Sequence, residues 1–224
     1  MYRGKTISIV IPCYNEEEGL VRVIPSLPKS VDEIIVADNN STDGTADVAR
    51  RLGAKVVFEP KKGYGSAYKA GLAAAKSDIT VTMDGDGTYP TDQIEECVGY
   101  LIERDLDFVS ASRFPLADPA AMNFSNKMGN ALLTFATFAL FGKKIGDSQS
   151  GMWIFRTALY AELAPKNDGM PFSEEIKIKA IQNPGIAFGE CHIRYRPRIG
   201  EVKLQKWRDG MRNLWYLVRL RFLR

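Results

Sequence analysis

Two aspartates separated by one glycine, Asp84-Gly85-Asp86, follow the β-branched run at residues 79–83. Such a run reads as an interior strand. At its end two carboxylates can converge on one point while the glycine lets a ligand approach the backbone closely. Hard oxygen ligands of this kind suit Mg²⁺ or Mn²⁺, which bind one or two carboxylates together with a ligand's phosphates. The expected task is to hold a metal-diphosphate; the plainer alternative is that both aspartates cap a turn before a helix at Thr91. Further polar groups punctuate the chain in the same way: Tyr14-Asn15-Glu16, the stretch from Asp38 to Thr45, Arg113, Asp147, Arg198 and Lys203.

Elements must bring these groups together. Residues 6–11 form a short apolar run, and the acidic residues after Asn15 suit the first turn of a helix reaching about Leu27. Strands follow at 33–38, 54–58, 79–84 and 107–112, with helices at 43–52, 66–75 and 91–104, Asp43 serving as an N-cap. This alternation predicts a largely parallel sheet with helices on both faces, and in such sheets ligands lie beyond the carboxyl ends of the strands. Three of the polar loops fall at strand ends, so they converge on one edge. Beyond Arg113 the alternation weakens into an apolar helix near 124–141, a strand near 152–155, a helix near 172–181, a strand near 186–195 and a final helix from about Leu204.

The three loops, Pro12-Cys-Tyr-Asn-Glu-Glu, Asp38-Asn-Asn-Ser-Thr-Asp-Gly-Thr and Asp84-Gly-Asp-Gly-Thr-Tyr-Pro, resemble the family 2 glycosyltransferases of the GT-A fold. Within that family the chain is most similar to the polyprenyl-phosphate sugar synthases, of which dolichol-phosphate mannosyltransferase is the familiar member. The resemblance covers about residues 5–205 and is tightest in the first 113. It implies that Pro12, Tyr14 and Glu16 hold the nucleotide, that Asp38 contacts the base, and that Asp84, Gly85 and Asp86 hold donor and metal. By the same resemblance Arg113 faces phosphate, Asp147 in Asp147-Ser-Gln-Ser-Gly151 lies near sugar and acceptor, and Arg198, with Gly200 and Lys203, matches basic residues near the end of the catalytic domain. Two positions depart from the pattern. Asn39-Asn40 replaces the common Asp-Gly, which bears on the base, and Thr88 stands where mannosyl enzymes usually carry a glutamine, which bears on the sugar and the metal ligand set.

The chemistry fits the residue types. Sugar transfer needs charge stabilisation on the leaving diphosphate, which Asp84 and Asp86 supply through a divalent ion. A hydroxyl acceptor would also need a general base, and the one histidine, His192, sits in an alternating strand pattern far from the loops. A monophosphate acceptor is already ionised near neutral pH and needs positive charge instead, for which Arg113, Arg198 and Lys203 are the candidates. The expectation is metal-dependent, inverting transfer of a hexose from a UDP- or GDP-linked sugar to polyprenyl or dolichyl phosphate, with Asp86, Asp147 and Arg113 as the catalytic set. Inversion is what the resemblance implies. A saccharide or other hydroxyl acceptor is the alternative, and a non-catalytic nucleotide-sugar-binding protein is the non-enzyme reading.

Composition agrees with a catalytic domain over 1–203 and a basic amphipathic helix over 204–224. The 224 residues are 45% hydrophobic and 25% charged, which excludes a disordered or collagen-like chain. The net charge of +3 is uneven: residues 190–224 carry +7 and the rest −4, which suits an anionic partner for the tail. Met211, Leu214, Trp215, Val218 and Phe222 recur at near-helical spacing beside Arg208, Arg212 and Arg219, as on a helix lying at a membrane surface. Cys13, Cys97 and Cys191 form no CxxC pair and suit a reducing compartment. No leader is expected at the start, so the expected location is the cytoplasmic face of a membrane, peripherally bound. Nucleic acid is not an expected partner, because the tail lacks any recognisable module. Gly63-Tyr-Gly65-Ser-Ala-Tyr68 fails as a dinucleotide fingerprint at its third glycine and instead predicts a helix packed close to the sheet.

Overall fold

A computed structural model describes residues 1–200 and 206–223. Its centre is a seven-stranded sheet of β1 (Ile7–Cys13), β2 (Glu33–Asp38), β3 (Lys55–Phe58), β4 (Ile79–Thr82), β5 (Phe108–Ser112), β6 (Trp153–Arg156) and β7 (Phe188–His192). Their spatial order is β3-β2-β1-β4-β6-β5-β7. β1 pairs parallel with both β2 and β4, and β5 parallel with β7. β6 is antiparallel to its neighbours β4 and β5. The expected mostly parallel α/β architecture is therefore present. The antiparallel insertion of β6 follows from the long excursion through residues 113–152, which brings the chain back into the sheet at the same end it left, Trp153 pairing with Ser110.

Alternation along β1 sorts the core. Ile7, Ile9 and Ile11 point to one face, where they meet Leu20, Val48 and Val98 from α1 (Glu17–Val23), α2 (Thr45–Arg51) and α4 (Ile94–Glu103). Val10 and Ile35 point to the other face, toward α3 (Tyr64–Ala74), α6 (Leu159–Leu163) and α7 (Phe172–Gln182). On that face Tyr68 stacks on Phe172 at 5.6 Å and packs against Trp153 at 5.1 Å. The predicted helix after Gly63 does lie close to the sheet: a Cβ on Gly71 would stand 2.6 Å from Val10.

A third, smaller layer consists of α5 (Phe124–Phe141) and α8 (Lys206–Phe222). Leu133 and Leu217 close on Ile178 of α7 with Leu214 and Leu220 around them, so the basic C-terminal helix packs onto the domain with its inner face. The outer faces remain apolar. Phe124, Met128, Leu132 and Phe135 of α5, and Met211, Trp215 and Phe222 of α8, are all more than half exposed. No helix among the described residues is long and apolar enough to cross a membrane.

The close fit of α1 to the Asp84–Asp86 loop depends on Gly19, where a Cβ would stand 2.1 Å from the carbonyl oxygen of Gly85. Gly19→Ala must move that backbone and should cost about 1–3 kcal/mol or more. Gly129→Ala on exposed α5, where a Cβ meets nothing within 4 Å, should be neutral or stabilise by up to about 1 kcal/mol. Thermal denaturation of both variants checks the contrast.

Candidate functional site

Hydrogen bonds tie together the loops at the carboxyl ends of β1, β2 and β3, and the loop after β4 packs beside them against Gly19 of α1. Asn15, at φ 55° just after β1, accepts a hydrogen bond on Oδ1 from the Thr42 N–H at 2.8 Å, and its own N–H donates to Ser41 Oγ at 3.0 Å. Gly44, not Asp43 as expected, is the N-cap of α2; Asp43 stands one residue earlier, accepting from the Thr45 N–H at 3.0 Å and from the Glu17 N–H at 3.3 Å. Asn39 spans to the loop after β3, donating to the carbonyls of Glu59 and Lys61 and accepting from the Gly63 N–H at 2.7 Å. Asp38, buried at the end of β2, accepts from the Ser41 N–H at 3.1 Å. Pro12 is half-buried within β1, and Tyr14 stands at the rim with Lys62 Nζ 5.0 Å from its ring centroid.

Asp84 and Asp86 lie at the end of β4. Asp86 is 1% exposed, and its Oδ1 accepts from the N–H and hydroxyl of Thr88 at 3.0 and 2.7 Å. Its Oδ2 lies 2.6 Å from Arg198 Nη2, off the direction of a hydrogen bond, so the contact is an ion pair. Asp84 is half-buried. Burial and then the Asp86 charge push it up to about 7, against the pull of Arg198 and Arg113, and Glu16 adds to the negative field. Gly85 is buried between the two, where a Cβ would stand 3.1 Å from Cys13 Sγ. Gly151 closes the other side, since a Cβ there would meet Tyr64 Oη at 2.6 Å and Asp84 Oδ1 at 3.6 Å.

Behind this pair is a second, fully buried one. Arg113 donates from Nε and Nη2 to both oxygens of Asp147, at 2.6 and 2.8 Å, and its backbone N–H donates to Asp147 Oδ2 at 3.1 Å. Asn130 of α5 and the Gln149 N–H donate to Asp147 Oδ1 as well. Burial alone would raise the Asp147 carboxyl, but Arg113, Lys177 and Asn130 more than offset it and hold it well below the usual carboxylate range. Tyr195 covers the Arg113 guanidinium at 5.2 Å. Asp147, expected beside sugar and acceptor, thus reaches the site through Arg113 and orients it; a carboxylate so saturated is a poor base. Arg198, expected on phosphate, faces Asp86. Lys203 lies outside the described residues. His192 stays apart, its Nε2 2.7 Å from the carbonyl of Pro115.

The sequence reading missed the support beneath this pair. Lys177 of α7 is buried and donates to the carbonyls of Asp147, Ser148 and Ser150, holding the whole loop. Burial brings it down to about 8. Glu174, one turn earlier and equally buried, accepts from Gln149 on Oε1, while its Oε2 has no hydrogen-bond partner. Asn213 of α8 donates to Gln149 at 3.0 Å, which links the C-terminal helix to the same loop. The available signal was two acids and a lysine in a helix segment whose apolar residues already account for one face.

A divalent cation fits the pair. Asp86 Oδ2 is a buried oxygen without an aligned donor, and two adjacent carboxylates are the hard ligands Mg²⁺ or Mn²⁺ takes. Among the described residues no three His, Cys, Asp or Glu form a complete cage, so the remaining ligands would come from phosphate oxygens. The family model for "Glycosyl transferase family 2" matches residues 8–164. The chain belongs to this family. The Haloferax volcanii protein named low-salt glycan biosynthesis hexosyltransferase Agl6 is 28% identical over 221 residues, 95% of this chain but 53% of that protein, so the chain spans about half of that relative's length. A dolichyl-phosphate hexose transferase of the same organism is 30% identical over 213 residues, covering 93% of this chain and 91% of the relative. A crystal structure of glucosyl-3-phosphoglycerate synthase from Mycobacterium tuberculosis, with Mn²⁺, UDP-glucose and phosphoglyceric acid, superposes with a TM-score of 0.78 at 23% identity over 97% of this chain and 80% of that one. The GT-A fold expected from the motifs is therefore the fold of this family 2 chain.

Glu174 supplies a test of the buried support. Its folded pKa of about 7 lies above the ordinary 4.5, so the stability tied to the neutral carboxyl is full below pH 4.5 and lost as pH rises toward 7. Glu174→Gln should match the wild type at pH 4 and gain on the order of 3 kcal/mol over it by pH 7–8. Denaturant titrations across this range should give diverging curves; parallel curves would contradict the assignment.

Proposed function

We propose that this chain transfers a hexose from a nucleoside-diphosphate sugar to a polyprenyl or dolichyl phosphate, with inversion at the anomeric carbon. The acceptor phosphate oxygen forms the new bond to that carbon as the bond to the diphosphate breaks, and the nucleoside diphosphate leaves. The observation that carries this reading is the charge arrangement: two carboxylates face two arginines, and among the described residues His192 and Asp147, the groups considered as a base, are engaged elsewhere. His192 bonds a backbone carbonyl, and Asp147 is held ionised by Arg113. A hydroxyl acceptor would need a base; a phosphate acceptor needs positive charge.

Mg²⁺ or Mn²⁺, held by Asp84 and Asp86, would supply charge stabilisation for the leaving diphosphate. Pro12, Tyr14, Glu16 and Asp38 border the nucleotide's place at the ends of β1 and β2. Arg113, fixed in direction by Asp147, keeps the Nη1 edge of its guanidinium for a phosphate; Arg198 and Lys203 complete the basic side. The lipid reading has two physical supports besides the name of the dolichyl-phosphate relative. The exposed apolar faces of α5 and α8 suit a peripheral position on the cytoplasmic face of a membrane. A cavity of ≈ 580 Å³ between α5 and the loop at Lys144–Gly146, lined by Phe135, Phe138 and Asn130, gives an isoprenoid chain room near Arg113.

The test offers labelled UDP-glucose, UDP-N-acetylglucosamine and GDP-mannose with polyprenyl phosphate and Mg²⁺ or Mn²⁺, and scores label entering an organic phase. One donor should label the lipid. Asp86→Asn should lower that transfer by about 10²-fold or more while the fold persists. A water-soluble product would move the reading to a hydroxyl acceptor, and donor binding without turnover to a nucleotide-sugar-binding protein.

A further inference from the structure

The two arginines at the carboxylate pair are held very differently. Arg113 is 7% exposed and locked on both sides by Asp147 and Tyr195. The Arg198 side chain is 25% exposed, and among the described residues it pairs with Asp86 Oδ2, the oxygen that Thr88 leaves open. That oxygen is also the one a divalent cation would take. The backbone that delivers Arg198 is docked on the Asp84–Asp86 loop itself: the Arg196 N–H donates to the Thr88 carbonyl at 2.9 Å and the Ile199 N–H to the Asp86 carbonyl at 2.8 Å. Arg194 and Arg196 pin the approach through Asp92, at 3.0 and 2.6 Å, and the Ile199 side chain closes on Gly87.

We propose that Arg198 is a positioning residue that serves as the site's resident cation, occupying the open oxygen of Asp86 until a metal and a diphosphate arrive together and displace it. This rests on the reading of Asp84 and Asp86 as metal ligands. Two carboxylates in one half-buried loop need a compensating positive charge, and a guanidinium on a short docked segment supplies it without a metal. A divalent cation alone must displace that charge and leave it without a partner. A metal that comes with a nucleoside diphosphate offers the released guanidinium new oxygens, so the exchange preserves the charge balance and pairs both cations. Metal binding and donor binding are thereby coupled through one side chain, and the coupling is reciprocal.

Mn²⁺ binding to the full chain, followed by electron paramagnetic resonance or calorimetry without any acceptor, tests this. Arg198→Ala should bind Mn²⁺ alone at least about tenfold more tightly than wild type, and Arg198→Gln, the closer replacement if the alanine variant folds poorly, should do the same. With saturating UDP or GDP the advantage should shrink to about threefold or reverse. Unchanged or weaker binding of Mn²⁺ alone by both variants would overturn the role of Arg198 while leaving the metal site standing. If neither wild type nor variants bind Mn²⁺ with or without nucleotide, or if Asp86→Asn binds it as well as wild type, the metal reading itself falls and this inference with it.

Discussion

Two aspartates at the end of a strand buried on both faces repel one another, and water reaches them too little to screen that repulsion. The arrangement around them answers this constraint. Arg198 is brought by a segment that hydrogen-bonds the same loop, and Arg113 acts from behind. Arg113 is itself a buried charge, which would be costly without a partner, and Asp147 matches it along two parallel hydrogen bonds. Asp147 in turn stays in place because Lys177, three residues beyond Glu174 on α7, collects the carbonyls of its loop. The site is thus the outer end of an alternating series of buried charges running from α7 to the end of β4, and a diphosphate with its cation would extend that series by two more members.

Much of this was legible in the residues. Strand runs leading to Tyr14, Asp38 and Asp84 located the edge of the sheet where the loops meet, because a period of two and a polar break after each run are local signals. The apolar helix at 124–141 agrees with α5 at both ends, aided by Asn123 as its cap and Gly142 in the left-handed conformation after it. What local patterns could not carry was pairing. Nothing in the sequence between Trp153 and Arg156 says that this strand runs antiparallel between β4 and β5. Likewise Phe172–Gln182 reads as a helix with one polar face, yet Glu174, Glu175 and Lys177 are all buried, because the Asp147–Ser150 loop, the Lys166–Asn167 backbone and α8 cover that face. A buried polar residue is recognised from its partners, and those partners come from distant parts of the chain.

The same limit explains Asp147 and the C-terminal helix. Asp147 read as a group near sugar and acceptor, and its position behind Arg113 became evident only from the five donors around it. The helix from about Leu204 read as a basic amphipathic helix at a membrane surface; in the fold its Leu217 is fully buried and its Asn213 reaches Gln149 in the loop beside the site. Its arginines and exposed Trp215 still leave an outer face suited to an anionic, partly apolar surface. The Asp147–Ser150 loop and the outer layer therefore share one support, and displacement of α8 would be felt at Gln149 before it reached the aspartates.

The central claim is that Asp84 and Asp86 together hold a metal-bound diphosphate. Anomalous diffraction from crystals grown with Mn²⁺ and UDP or GDP tests it most directly. The account predicts a manganese peak within ligand distance of both carboxylates, with the diphosphate completing its coordination and Arg198 moved off Asp86. A nucleotide seated with its manganese away from these two side chains, or no manganese at all beside a bound diphosphate, would contradict it.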